Sequence, residues 1–195
     1  LKLEVFGDAN DYVGKGLSGG TIVVRPAPSS KLVWNENTII GNTVLYGATS
    51  GELFAAGQAG ERFAVRNSGA TAVVEGCGAN GAEYMTGGTI VILGAVGDNF
   101  GAGFTGGMAF VLDADGTFEK RVNPESLLWQ RLGSSFWEGV LQQLIQRHVD
   151  ETGSRHAARI LNAWGEMRGQ FWHVVPKEYA RYLPRPMQEV AAAAE

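Results

Sequence analysis

A single cysteine among 195 residues removes two readings at once. Cys77 has no second thiol to pair with, so no intrachain disulfide holds the fold, and one thiolate cannot carry an iron–sulfur cluster. Such sparing use fits a reducing compartment, and a soluble, cytoplasmic protein is expected. Long apolar runs are also missing. None approaches the roughly 18 residues that span a bilayer, and the N-terminus has no signal-peptide pattern. Basic clusters are absent too: lysine and arginine are scattered and the net charge is −4, which gives no electrostatic reason to expect nucleic acid or an anionic membrane. The three histidines, His148, His156 and His173, show no HExxH or similar ligand spacing. The first two fall on the polar side of predicted helices and His173 in an apolar run, so surface or core roles are expected for all three.

What the chain has in abundance is glycine, 28 residues of it, placed between β-branched runs rather than in a polar tract. Gly51, Gly69 and Gly87 are spaced by 18 residues each and Gly106 follows by 19, while Gly60, Gly78 and Gly97 keep the same time. After the first set come Leu53–Ala55, Thr71–Val74, Thr89–Ile92 and Met108–Val111. A period this short suits one coil of a parallel β-helix, with roughly three short strands and a corner after each. Glycine serves at corners because it accepts tight turns and positive φ at least steric cost. Equivalent positions then stack: Val73 with Val91 and Phe110, and Val74 with Ile92 and Val111. Each coil buries its inward side chains only against its neighbours.

Taken in order, the chain opens on Leu1 and a strand-like Lys2–Phe6, so it reads as a piece of something longer. Gly7 to Val24 is an early copy of the unit, close to Gly97–Gly107. Arg25-Pro26-Ala27-Pro28-Ser29-Ser30 interrupts it as a loop, since proline cannot donate to a ladder. The rhythm resumes at Ile39 and runs to about Asp113. A turn at Asp113–Gly116 and a short strand through Phe118 follow. We divide the chain into a β-helix, residues 1–121, and an α-helical extension, residues 122–195. In the extension a helix is predicted from Asn123-Pro124-Glu125, with Asn123 as cap. A second follows Ser134-Ser135 with Phe136, Val140, Leu144 and Val149 as its apolar stripe. A third is capped by Ser154, carries Ala158, Leu161 and Trp164, and is broken by Gly169. Phe171–Val175 is a strand, Pro176–Tyr182 a helical turn, and Gln188–Glu195 a frayed tail. The helices are expected to cap or flank the solenoid with Trp129, Trp137 and Trp164 as anchors, because an open parallel edge invites aggregation.

Three runs, Gly14–Gly19, Gly76–Gly81 and Gly101–Gly106, match the dinucleotide fingerprint G-x-G-x-x-G. That fingerprint needs a helix after the loop, and here each run leads into β-type residues, so repeat corners are the reading. Cys77, between two glycines and without a CxxC partner, is expected to be a buried corner residue. Asp8, Asp11, Asp98, Asp113 and Asp115 fall at turns, where their side chains bond local backbone. Asp8 and Asp98 lie in matching copies, but Asn42, Gly60 and Gly78 interrupt any acidic ladder of the kind polysaccharide-cleaving β-helices use.

The segments Gly7–Gly20, Ile40–Gly51, Arg62–Ala70 and Glu83–Gly88 together resemble the C-terminal GXGXG domain of the glutamate synthase large (alpha) subunit. The likeness extends to His148–Ser154. It implies a single-stranded, right-handed parallel β-helix, a hand that agrees with the general preference of parallel crossovers. It further implies a parent enzyme that makes two glutamates from glutamine and 2-oxoglutarate. There a glutaminase domain releases ammonia to a domain holding FMN and a 3Fe-4S cluster, and electrons come from NAD(P)H through a small subunit or from ferredoxin. The β-helix of that family is regarded as a scaffold between these domains. No position here matches a catalytic, cofactor-binding or metal-binding residue of the parent, so none is assigned, and Cys77 is not the glutaminase nucleophile. Two other readings stand beside this one. A subunit of formylmethanofuran dehydrogenase has a similar glycine-rich solenoid, although the helical end from Pro124 argues against it. A self-sufficient polysaccharide-active β-helix would need a stacked row of Asp or Arg.

Overall fold

A computed structural model describes residues 1–188. Six parallel strands follow one another in chain order across the main sheet: β1 (Lys2–Phe6), β2 (Ser18–Arg25), β4 (Ser50–Ala55), β6 (Ser68–Val74), β7 (Gly87–Ile92) and β8 (Met108–Leu112). The expected register holds, with Val73 opposite Val91 and Val91 opposite Phe110, and likewise Val74, Ile92 and Val111. Glu52 pairs with Thr71, Thr71 with Thr89 and Thr89 with Met108, steps of 19, 18 and 19 residues. The exception is Thr21 with Glu52, a step of 31. The excess is the loop after Arg25, which includes a 3-10 turn at Trp34–Glu36.

A second side of the solenoid is narrow. Strands β3 (Thr38–Ile40) and β5 (Gln58–Ala59) pair in parallel, and isolated bridges extend them into one column of Ala9, Ile40, Ala59, Cys77 and Val96. The third side departs from the expected three strands per coil. Along it every second residue is left-handed: Tyr12, Gly14 and Gly16; Thr43, Leu45 and Gly47; Arg62, Ala64 and Arg66; Asn80, Ala82 and Tyr84; Asn99, Gly101 and Gly103. All ten left-handed non-glycine residues among those described lie here, although each such residue costs roughly 1–2 kcal/mol. Hydrogen bonds between coils hold them in place. Arg62 N–H donates forward to Ala79 O, Ala64 N–H back to Val44 O, and Arg66 N–H forward to Glu83 O, and the same sequence recurs for Asn80, Ala82 and Tyr84. Each coil is thereby a donor to both neighbours.

Burial explains the uninterrupted apolar runs. Leu53, Ala72, Val74, Ile90 and Ile92 point into the solenoid with Leu45, Phe63, Met85, Phe100 and Phe104. Alternate residues Phe54, Val73, Val91 and Phe110 point outward but are covered by two helices, α2 (Ser135–Thr152) and α3 (Arg155–Asn162). A sheet buried on both faces needs apolar residues at successive positions, not alternation.

The C-terminal part corrects several expectations. No strand runs through Phe118; the Asp113 carboxylate accepts from Thr117 N–H and Phe118 N–H and starts a single helical turn, α1 (Phe118–Arg121). Asn123 caps no helix. Its side chain accepts from Glu125 N–H in a local turn, and the chain continues as strand β9 (Leu127–Arg131). Long-range pairing decides this, since β9 lies antiparallel to β10 (Phe171–Pro176), which in turn lies antiparallel to β8. The last parallel edge is therefore covered by strands, while the helices flank the sheet. The stripe of α2 is also rotated: Trp137, Leu141, Ile145, His148 and Thr152 are buried, Val140, Leu144 and Val149 are half-buried, and Phe136 is exposed. On α3 the buried residues are Ala157 and Ile160. That helix ends before Gly169, at a break on Ala163, and a short α4 (Trp164–Met167) and a 3-10 turn (Arg168–Gln170) follow. Trp137 is the fully buried anchor, its indole N–H donating to Pro186 O, with Trp129 and Trp164 half-buried against the two cores. The helical turn after Pro176 is a 3-10 turn, Ala180–Tyr182. Of the expected frayed tail, Gln188 bridges Gly133, and residues 189–195 lie outside those described.

Candidate functional site

The glycine runs enter strands or further turns, never a helix N-terminus: Gly14–Gly19 leads into β2, Gly76–Gly81 into the left-handed side, and Gly101–Gly106 into β8. Cys77 sits in the narrow column, buried, its thiol pushed up to about 12 by desolvation. At neutral pH the thiol is protonated and Cys77 packs as a small apolar side chain. The expected local backbone bonding is found at Asp113 and Asp115, whereas Asp11 and Asp98 bond partners 31 and 23 residues away. Asp11 accepts from Asn42 N–H, Asp98 pairs with Arg121, and the Asp115 carboxylate is held below its usual range chiefly by the Thr117 hydroxyl. Asp113 is buried and additionally accepts from the Trp172 indole N–H at 2.8 Å. Among the described residues no group of three His, Cys, Asp or Glu side chains is placed to hold a metal ion, and no helix is long and apolar enough to cross a membrane.

The histidines depart most from expectation. His148 is not on a polar face: it is fully buried, with Nε2 3.1 Å from Glu75 Oε1. The Ser154 hydroxyl donates to the same carboxylate oxygen and accepts from Ala157 N–H, so it caps α3 as expected. Thr152 Oγ1 donates to His148 O at 2.6 Å and accepts from Ser154 N–H. Glu75 thus ties the end of β6 to the α2–α3 junction. Serine, histidine and carboxylate are all present, but the carboxylate lies between the other two and nothing reaches solvent, so the cluster is a joint and not a relay. The sequence held one hint, a charged residue directly after the buried run Ala72–Val74.

His156 is half-buried with Nε2 2.6 Å from Leu93 O. His173 is buried in β10, stacked on Phe110 at 4.6 Å with Trp137 at 5.0 Å, and neither ring nitrogen has a partner among the described residues. Burial pushes its pKa down to about 4. A depressed folded value means that the neutral ring is favoured, so the contribution is complete above about pH 6.5 and is lost as pH falls towards 4. Each pH unit in that window costs roughly 1.4 kcal/mol. Between pH 6.5 and 5 the chain should lose about 2 kcal/mol through this ring. Urea unfolding of the protein and of His173→Phe at both pH values measures it, and an equal loss in the two proteins refutes the assignment.

Two adjoining surface concavities share Ser30, Leu32 and Trp34; one also contains Asp8 and Ile39, and the other gathers basic with apolar groups. The loop after β2 lies against the solvent side of α3 and leaves a cleft of about 440 Å³ lined by Lys31, Leu32, Val33, Trp34, Arg155 and Arg159. His156 lines it too, and no Asp or Glu does. Of these side chains the sequence points only to His156, because the loop and the helix are more than a hundred residues apart.

The fold is a three-sided parallel solenoid whose third side is left-handed at alternate positions, and the chain belongs to the GXGXG motif family, which matches residues 1–177. Within it the chain is similar to the glutamate synthase [NADPH] large chain of Azospirillum brasilense, 67% identical over 187 residues, 96% of this chain and 12% of that one. It is similar also to the ferredoxin-dependent glutamate synthase 2 of Synechocystis sp., 52% identical over 90% of this chain and 11% of the relative. The glutamate synthase [NADPH] large chain of Bacillus subtilis is 45% identical over 98% of this chain and 13% of its own. The chain thus spans about an eighth of the length of the curated relatives it matches.

Proposed function

We propose that this chain is the solenoid domain of a glutamate synthase large chain, a non-catalytic scaffold that holds the glutaminase and FMN domains of the same polypeptide in fixed relation for ammonia channelling. The carrying observation is stiffness. Neighbouring coils are hydrogen-bonded on all three sides, and on the third side each coil donates in both directions. Close-packed, fully bonded stacks deform little, and channelling between two active sites needs a fixed separation. The donor set agrees with a segment that carries no cluster: the one thiol is buried and protonated. FMN, the 3Fe-4S cluster and the contact with a reductant, whether a small NAD(P)H-oxidising subunit or ferredoxin, are assigned to the rest of the polypeptide. As for a polysaccharide-active β-helix, the side chains that stack along the coils are Asn80, Asn99 and Asn123, amides linked at 2.9 Å, which supply neither acid nor base.

Deleting residues 1–188 from the full-length polypeptide should raise the ratio of ammonia leaked to glutamate formed several-fold. Glutamine hydrolysis and ammonia-dependent glutamate formation, each measured alone, should change less. An unchanged ratio overturns the proposal.

A further inference from the structure

We infer that the cleft between the loop after β2 and helix α3 is a docking site for an acidic segment of a neighbouring domain of the same polypeptide, an extended stretch with two carboxylates flanking an apolar side chain. This rests on the scaffold reading and deepens it by naming where one domain is gripped.

Three observations carry it. The first is the loop itself: the repeat steps by 18 or 19 residues elsewhere and by 31 here, so this coil carries an excursion that solenoid packing does not require. The second is unpaired charge. Lys31, Arg155 and Arg159 line the cleft, and among the described residues none of the three side chains has an ion pair or hydrogen-bond partner. Of the other thirteen lysines and arginines, Lys2, Arg62, Arg121, Arg131, Arg147, Arg168 and Arg181 each meet a carboxylate. Arg25 and Lys177 donate to backbone carbonyls, and Lys15 and Arg66 lie over Tyr12 and Tyr84. Lys120 and Arg185 have no side-chain partner among the described residues, so what sets the cleft apart is three unpaired cations in one place. Three cations brought together without an anion repel one another, on a chain whose net charge is −4. The third is apolar exposure at the same place. Leu32 and Val33 are 60% and 51% exposed beside a half-buried Trp34. Tryptophan and arginine around apolar side chains are what protein interfaces use as anchors. A small anion would satisfy the charges but leave Leu32 and Val33 in water; an acidic segment with an apolar side chain covers both.

The test is amine footprinting of the full-length polypeptide. Lys31 should be acetylated roughly tenfold more slowly than Lys120, which is exposed and unpartnered (a 1.4 kcal/mol difference), and carbodiimide should join Lys31 to an Asp or Glu outside residues 1–195. Arg155→Glu with Arg159→Glu should abolish both effects without lowering the unfolding midpoint, since neither guanidinium has a partner to lose. Lys31 reacting as fast as Lys120 overturns the inference. So does protection that disappears on dilution, which would mean a second copy, or protection displaced by inorganic phosphate without any cross-link, which would mean a small anion. The coupling ratio keeps the two proposals apart. A free Lys31 in an enzyme that uncouples on deletion of the domain sinks the docking site alone; a protected Lys31 in one that stays coupled sinks the scaffold alone.

Discussion

Gly69→Ala should destabilise the solenoid by about 4 kcal/mol, and its melting temperature should fall by roughly ten degrees or more. A Cβ at this position would stand 2.1 Å from Thr49 O and 3.0 Å from Thr49 C. Both atoms are backbone, in the preceding coil, so no side chain can swing aside. The same collision awaits at Gly87 with Ser68 O, at 2.3 Å, and at Gly106 with Thr86 O, at 2.2 Å. Gly139→Ala is the control. That glycine lies within α2 with nothing within 4 Å of the added carbon, and there the methyl should stabilise by up to about 1 kcal/mol. Thermal unfolding followed by circular dichroism reads both. A Gly69→Ala protein as stable as the parent would show that the coils are not in backbone contact there.

Removing the buried joint has the next largest effect. Glu75→Leu takes the carboxylate from both the Ser154 hydroxyl and His148 Nε2, fully buried groups that no water can reach. Leaving such groups unpartnered costs roughly 3 kcal/mol or more. The double variant Glu75→Leu with His148→Leu should cost less than the sum of the single losses, because the second change removes one of the orphans made by the first. Urea unfolding supplies the free energies, and the near-ultraviolet signal of Trp137 reports whether α2 still seats on the sheet. A loss below about 1 kcal/mol for Glu75→Leu would mean that the helices are held by apolar burial alone.

The difference between these two sites explains what could be read from the sequence. Gly69, Gly87 and Gly106 recur because every coil meets the one before it at the same place, so one steric demand is written again and again. The register of Val73, Val91 and Phe110 follows from the same repetition. Of the two demands a corner places on glycine, no room for a Cβ and positive φ, these positions answer only the first: Gly69, Gly87 and Gly106 have φ outside the positive range and are required by proximity. The left-handed side stayed hidden because Arg62, Ala64, Arg66, Asn80, Ala82 and Tyr84 hold there a conformation that their types do not advertise. The sequence around Asn123 reads as a helix where strand β9 forms because its partner, β10, comes some forty residues later, and nothing local at Asn123-Pro124 distinguishes a capping turn from a helix cap. Likewise Glu75 and His148 are 73 residues apart, and the charged cleft depends on a loop and a helix farther apart still. Pairings of that kind leave no period in a sequence.

The bidirectional bonding of the third side also bears on how the molecule can change over evolutionary time. A coil that donates to both neighbours and accepts from both can be duplicated or lost without altering what the remaining coils present. Each such event would lengthen or shorten the body by a single inter-strand spacing, about 4.8 Å. Whatever is fastened to the two ends is then moved apart in graduations, never by arbitrary amounts. Reach, in a body built this way, is quantised.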